Sequence, residues 1–304
     1  MNITVIGAGL MGHGIALTFS LAGHHVKVQD PIPEALDALH DRVTASLKVM
    51  NVDSKDRSEA LQKIFTEKHL SKAVEDAELV IEAAPEKLDL KKQIFKEIEY
   101  SAPKTCLLAS NTSVIQISKI MCDLKLKNRV VGTHWWNPPH IIPLVEVIKT
   151  EWTDEETMNQ MMDTLSNAGK TPVRVEKDVP GFIGNRLQMA LWREAISLVE
   201  NGICDAASVD TVVKASFGRR LAILGPMENA DLVGTDLTLD IHNQVLFDLE
   251  RRAGPSPFLQ KLVSENKLGM KSGTGFQNWT EDQIEETRVK LATHLLELEG
   301  ILKK

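Results

Sequence analysis

The spacing of apolar residues changes twice within the first 30 positions. Residues 2–6 form an apolar, β-branched run, residues 7–12 read Gly-Ala-Gly-Leu-Met-Gly, and Ala16, Phe19 and Ala22 then recur at helical spacing. This pattern predicts strand, tight turn and helix. A second strand over 26–29 ends at Asp30, which closes a parallel βαβ unit within about 30 residues. Two heavily charged stretches, 33–49 and 55–66, read as helices and are longer than a crossover needs. Alternation then resumes, with strands at 79–83, 106–109 and 129–133 and helices at 88–99 and 114–121. Repeated strand and helix in this order predict an α/β domain with a Rossmann-type, doubly wound, mostly parallel sheet that binds ligands at the carboxyl ends of its strands.

Pro138, Pro139 and Pro143 forbid a helix between the strand ending near residue 133 and the next apolar run at 144–148, so the chain returns there in a hairpin-like manner. A helix over 154–168 has Thr153 and Glu156 as a capping box and Gly169 as its stop, and 171–175 supplies a last strand. From Gly181 onward Phe182, Ile183, Leu187, Ala190 and Leu191 follow helical periodicity, and Gly202, Gly218, Gly225 and Gly254 divide the rest into helices. The reading is therefore a dinucleotide-binding domain over 1–180 and an all-α domain over 181–304 that serves substrate binding and dimerisation.

Hydrophobic residues at 43% and charged residues at 25% place the chain among folded globular proteins. Its 35 Lys and Arg against 42 Asp and Glu give a net charge of −7, which repels phosphate backbones and anionic lipid, so no nucleic acid or membrane partner is expected. Cys106, Cys122 and Cys204 are too few and too scattered for a disulfide framework or a zinc site. No metal is expected, and the thiols fit a reducing, cytoplasmic setting. The N-terminus lacks the basic region and cleavage site of a signal peptide, and no apolar stretch approaches the roughly 20 residues that span a bilayer.

The glycine motif between strand and helix is a dinucleotide fingerprint. Gly7 permits the tight turn, Gly9 admits the pyrophosphate to the helix N-terminus beside Leu10 and Met11, and Gly12 lets helix and strand pack. Asp30 stands about 20 residues on, where a carboxylate accepts from the adenosine ribose and repels a 2′-phosphate. The cofactor expected is NAD rather than NADP. His134 follows one strand and Glu146 lies in the next, so the hairpin-like return brings both to one end of the sheet. A carboxylate beside an imidazole fixes its tautomer and makes it a competent base for a secondary alcohol as hydride leaves for the nicotinamide.

Several segments together carry a more specific pattern: 110–113 (Ser-Asn-Thr-Ser), 134–138 (His-Trp-Trp-Asn-Pro), 144–147 (Leu-Val-Glu-Val), 180–186 (Pro-Gly-Phe-Ile-Gly-Asn-Arg), 225–228 (Gly-Pro-Met-Glu) and 271–276 (Lys-Ser-Gly-Thr-Gly-Phe). In this order and spacing the sequence resembles the L-3-hydroxyacyl-CoA dehydrogenase family over nearly its whole length. The resemblance implies that His134 is the catalytic acid/base with Glu146 its partner, and that Ser113 and Asn185 position substrate oxygen and imidazole. It also implies that Glu86, Lys91, Ser113, Asn137 and Lys271 join the glycine loop and Asp30 around NAD. Ser46 matches the hydroxyl that binds coenzyme A in acyl-CoA members, and a homodimer is implied as well.

The expected reaction is interconversion of a 3-hydroxyacyl substrate with its 3-keto form, placed in fatty acid metabolism. The stretch 48–57 is thin in lysine for a coenzyme A nucleotide, and the proline loop is similar to that of relatives acting on free hydroxy acids or hydroxymethyl groups: gulonate, carnitine and pyridine-carboxylate dehydrogenases and λ-crystallin. Trp135, Trp136 and the Arg219–Arg220 pair either shape a compact pocket for a small anion or serve as core and surface. A non-catalytic, λ-crystallin-like protein is a further alternative, opposed by the presence of every catalytic side chain.

Overall fold

The computed structural model describes residues 1–302. Its first strand β1 (Asn2–Ile6) leads through the glycine turn into α1 (Leu10–Leu21) and β2 (His25–Gln29). There follow α2 (Pro33–Asp37), α3 (Leu39–Val49), α4 (Ser54–Gln62), β3 (Ile64–Glu67), α5 (Leu70–Val74) and β4 (Leu79–Glu82). The chain continues with α6 (Leu88–Ser101), β5 (Leu107–Ser110), α7 (Ile117–Met121), β6 (Val130–Trp135), β7 (Leu144–Ile148), α8 (Glu155–Asn167) and β8 (Thr171–Val175). The eight strands form one sheet in the order β3-β2-β1-β4-β5-β6-β7-β8. All neighbours are parallel except β6 and β7, whose antiparallel pairing is the return the proline loop predicts. Strand order reverses at β1, which has β2 on one side and β4 on the other, and that opens a crevice beyond the carboxyl ends of these strands.

The central strands β4 and β5 are buried along their whole length because helices cover both faces. Ile15, Leu17 and Phe19 of α1 pack with Val43 and Leu47 of α3 and Met158 and Met161 of α8 in one core layer. Phe95 and Ile98 of α6 pack with Ile117 and Ile120 of α7 in the other.

Three local expectations are corrected. The helix anticipated over 55–66 ends at Gln62, and Ile64–Glu67 is instead an edge strand paired with β2. Its Ile-Phe-Thr segment suits a pleated ladder, and the open edge of β2 supplies the partner. The stretch 33–49 is interrupted at Ala38, where α2 ends and α3 begins. At α8 the cap is Asp154, which accepts from Thr157 N at 2.8 Å, while the hydroxyl of Thr153 turns inward to the carbonyl of Val130 at 2.6 Å.

The chain divides into two compact units, one comprising 1–186 with the described residues from Ala292 onward, the other Leu187–Leu291. The second unit is helical: it holds most of α9 (Gly184–Glu200), then α10 (Ala206–Ala215), α11 (Pro226–Val233), α12 (Thr235–Val245), α13 (Pro257–Ser264) and the first part of α14 (Glu281–Leu302). Isolated bridges at Gly269–Thr274 and Thr274–Asn278 are its only β pairing among the described residues. No helix among the described residues is long and apolar enough to cross a membrane.

Candidate active site

The crevice at β1 has the shape a dinucleotide requires. Gly7 has φ +103°, and a Cβ there would lie 2.8 Å from the carbonyl oxygen of Ala83; at Gly12 a Cβ would come within 1.7 Å of the Gly7 oxygen. A Cβ at Gly9 would meet nothing within 4 Å, so the glycine opens space in front of the N-terminus of α1. Leu10 and Met11 begin that helix, with Leu10 exposed. Asp30, just past β2, holds this loop with its Oδ2 accepting from Ala8 N at 2.8 Å and its Oδ1 from Ile32 N at 3.0 Å. The donors, the open face and the strand-end carboxylate fit NAD.

A second carboxylate web borders the crevice at β4 and α6. Lys91 is fully buried and donates to Glu82 Oε1 at 2.6 Å and to the carbonyl of Ala84 at 3.2 Å. The other oxygen of Glu82 accepts from Ser110 Oγ at 2.6 Å. Glu86 lies 3.3 Å from Lys91 through Oε2, while its Oε1 accepts from the Thr112 hydroxyl and from the backbone N–H of Ser113 at 3.1 Å and of Val114 at 3.2 Å. Burial opposes ionisation of Glu86, but the Thr112 hydroxyl, Lys91 and the backbone donors outweigh it and hold the carboxyl below its ordinary value. Lys91 thus stands behind Glu86 as a buried counter-ion. Glu82, unrecognised in the sequence reading, is the anion that makes its burial tolerable.

His134 and Glu146 face each other directly across the antiparallel β6–β7 pair. Both are buried, and His134 Nδ1 donates to Glu146 Oε2 at 2.7 Å. Glu146 Oε1 accepts from Ile183 N at 2.8 Å and Gly184 N at 3.0 Å. Burial pushes the Glu146 carboxyl up, yet His134 and these two amides prevail and hold it below its ordinary value. The carboxylate is therefore charged and oriented, and Nε2 of the imidazole is left for chemistry.

Gly181 and Phe182 produce the turn that aims those amides, with φ of +76° and +49°. A positive φ at phenylalanine is uncommon. Its buried ring packs on His134 with centroids 5.5 Å apart, and Trp136 lies 5.4 Å away by the same measure. A Cβ on Gly184 would approach Trp136 Cζ2 to 2.4 Å, so the turn is matched to the indole. Neither Phe182 nor Gly184 stood out as a site residue in the sequence; their signal lies in the Pro-Gly-Phe-Ile-Gly segment. Trp135 belongs to the core, where its ring meets Phe19 at 5.7 Å.

Asn185 donates from Nδ2 to the backbone carbonyl of Ser113 at 2.9 Å, so these two residues meet through the main chain, next to the Glu86 web. Asn137 is exposed beyond β6. Lys271 and the Arg219–Arg220 pair lie in the helical unit. Ser46 is not a surface hydroxyl. It is 9% exposed, and its Oγ lies 3.3 Å from His13 Nε2. His13 Nδ1 donates to the Gly9 carbonyl at 3.2 Å, which leaves Nε2 to accept from the serine.

The sequence matches the model of the 3-hydroxyacyl-CoA dehydrogenase NAD-binding domain over residues 2–179 and that of the C-terminal domain over 181–279. It is 34% identical to 5-formyl-3-hydroxy-2-methylpyridine 4-carboxylate 5-dehydrogenase of Mesorhizobium japonicum, covering 99% of this chain and 98% of that one. To the human mitochondrial hydroxyacyl-coenzyme A dehydrogenase it is 36% identical, covering 91% of each. A solved 5-formyl-3-hydroxy-2-methylpyridine 4-carboxylic acid 5-dehydrogenase, described as an NAD+-dependent dismutase, superposes with a TM-score of 0.93 at 34% identity, over 99% of this chain and 98% of that one. The (S)-3-hydroxybutyryl-CoA dehydrogenase of Ralstonia eutropha gives 0.77 at 29% identity, over 92% and 99%. The chain belongs to the 3-hydroxyacyl-CoA dehydrogenase family and is an NAD-dependent oxidoreductase acting on CH–OH groups.

Proposed function

We propose that His134 is the acid/base of a dehydrogenase that interconverts a small alcohol, not bound as a coenzyme A thioester, with its carbonyl form. The observation that carries the chemistry is the buried Nδ1–carboxylate bond between His134 and Glu146, which supports a single tautomer with Nε2 directed to substrate. In oxidation Nε2 takes the carbinol proton, and Glu146, still ionised, balances the imidazolium. In reduction the same imidazolium returns the proton. NAD supplies the hydride acceptor when bound. Asn185, Ser113 and Glu86 border the reacting centre, with Asn185 and Ser113 on the side of the substrate oxygen.

Ser46 favours the free substrate over the 3-hydroxyacyl-CoA that the family name suggests. Its hydroxyl is spent on His13 inside the protein, where an external nucleotide cannot reach it without displacing that bond. The degree of structural similarity points the same way. The family's C-terminal model ends at residue 279, and α14 (Glu281–Leu302) lies beyond it. The pyridine-carboxylate dehydrogenase superposes with a TM-score of 0.93, whereas a 3-hydroxyacyl-CoA dehydrogenase that covers the same 99% of this chain gives 0.70. The final turns of α14 belong to the first unit, where Leu296 and Glu299 line a cavity of about 440 Å³ with His140 and with Met50 at the end of the Ser46 helix. A homodimer in a reducing cytoplasm completes this reading.

The test is an NADH oxidation screen of free 3-keto acids, dehydrocarnitine and aromatic aldehydes against acetoacetyl-CoA. Turnover confined to the free compounds is expected, and efficient use of acetoacetyl-CoA would overturn the substrate assignment. On the best substrate His134→Gln lowers kcat by roughly a hundredfold or more while NADH binding persists. Undiminished turnover in that variant removes His134 from the chemistry.

A further inference from the structure

Asp30 has a cationic counterpart at the glycine loop. Arg42 projects from α3, one turn before Ser46, and its Nη1 donates to the carbonyl oxygen of Ala8 at 2.8 Å. Asp30 accepts from the N–H of the same Ala8 at 2.8 Å. The two side chains thus hold the two polar ends of the residue between the first two glycines. Arg42 is exposed, and its remaining guanidinium N–H groups have no partner among the described residues. A fixed, solvent-facing guanidinium beside an adenosine-side carboxylate is unusual for a site that must only recognise a ribose diol. Its planar fork suits a phosphate far better.

We propose that Arg42 is a cofactor-specificity residue which, together with the Ala8 N–H, forms a latent subsite for the 2′-phosphate of NADP, closed by Asp30. With Asp30 in place, its negative charge repels the phosphate and its Oδ2 occupies the Ala8 donor. Removing that carboxylate exposes two donors at once, one from the loop and one from α3. The second cation-bearing helix, α4, supplies no such contact: among the described residues the Arg57 guanidinium bonds only to the Asp53 carbonyl, at 3.4 Å.

The experiment measures dissociation constants of NADH and NADPH by nicotinamide fluorescence, so no substrate is needed. Asp30→Ser tightens NADPH binding about tenfold or more relative to the parent, the scale of a charge-assisted hydrogen bond. Asp30→Ser with Arg42→Leu forfeits that gain, with a smaller change for NADH, and Asp30→Ser with Arg57→Leu keeps it. Asp30→Asn, which retains an acceptor for Ile32 N, serves in the same series if the serine variant folds poorly. Equal losses for both coenzymes on removing Arg42 would make it a structural clamp of the loop and overturn the proposal. So would a neutral residue 30 that gains no NADPH affinity.

Discussion

At His140 three surroundings act in one direction. Burial withdraws solvent from the imidazolium, the His13 ring lies 5.6 Å away, and the ammonium of Lys170 is close by; together they bring its pKa from 6.5 to about 4. His13 is also lowered, by burial above all, against the opposing pull of the Gly9 carbonyl. Between pH 6.5 and 4 the unfolded chain therefore binds protons that the folded chain refuses, and stability falls as pH falls through that window. His140→Gln removes one of these groups, so its melting temperature declines less from pH 6.5 to 4.5 than that of the parent. Parallel declines in thermal melts across that range would show that His140 contributes nothing. The neighbourhood responsible is invisible in sequence, because His13, His140 and Lys170 are far apart along the chain. Asp30 and His134 were legible, since each follows an apolar run that marks a strand end. Glu82 ends such a run too, but nothing in the sequence pairs it with Lys91, which the family resemblance sets beside NAD and the fold buries against Glu82.

Elements were legible where their periodicity matched their burial. The strands β1, β4 and β5 lie between helices and need continuous apolar runs, and the return from β6 to β7 followed from three prolines that leave the chain no helix. That return places His134 and Glu146 opposite each other, so an element-level reading delivered the central contact. β3 was hidden because an edge strand needs few apolar residues, and its charged flank continues the helical pattern of α4. The last helix shows the same limit. α14 has apolar positions that predict a helix but not which surface receives them. Its Leu296 lines the cavity with Leu21 of α1 and Met50, which makes the final turns part of the first unit's packing. Leu296→Asp should therefore cost about 1–3 kcal/mol of stability, from lost apolar burial and a carboxylate placed against it. Urea unfolding followed through the Trp135 region reads the effect; an unchanged midpoint would mean that those turns are ornamental. The conservative Leu296→Met, by contrast, stays near the parent value.

The two units of the molecule differ sharply in how they dispose of apolar surface. The nucleotide-binding unit has layered cores on both faces of its sheet. In the helical unit, Leu187–Leu291, only Ser197, Leu262 and Ile284 are buried. Over α11 and α12 Met227 is 73% exposed, Leu232 71% and Leu239 60%, with Ile241 and Leu237 exposed beside them. Helices that leave this many large apolar side chains exposed among their polar ones are better suited to an interface than to solvent. The occupant we expect is a second copy of the chain, because a two-fold partner brings an identical apolar face. Such interfaces in obligate homodimers are large and resemble a domain core divided between subunits. The expected particle in sedimentation equilibrium has twice the 33.7 kDa chain mass. Leu239→Asp together with Ile241→Asp should shift it toward monomer and lower the melting temperature, while the parent's stability rises with protein concentration, as linkage between folding and association demands. A parent chain that sediments as a monomer at micromolar concentration, with a melting temperature independent of dilution, would leave that apolar face without its partner and refute the dimer.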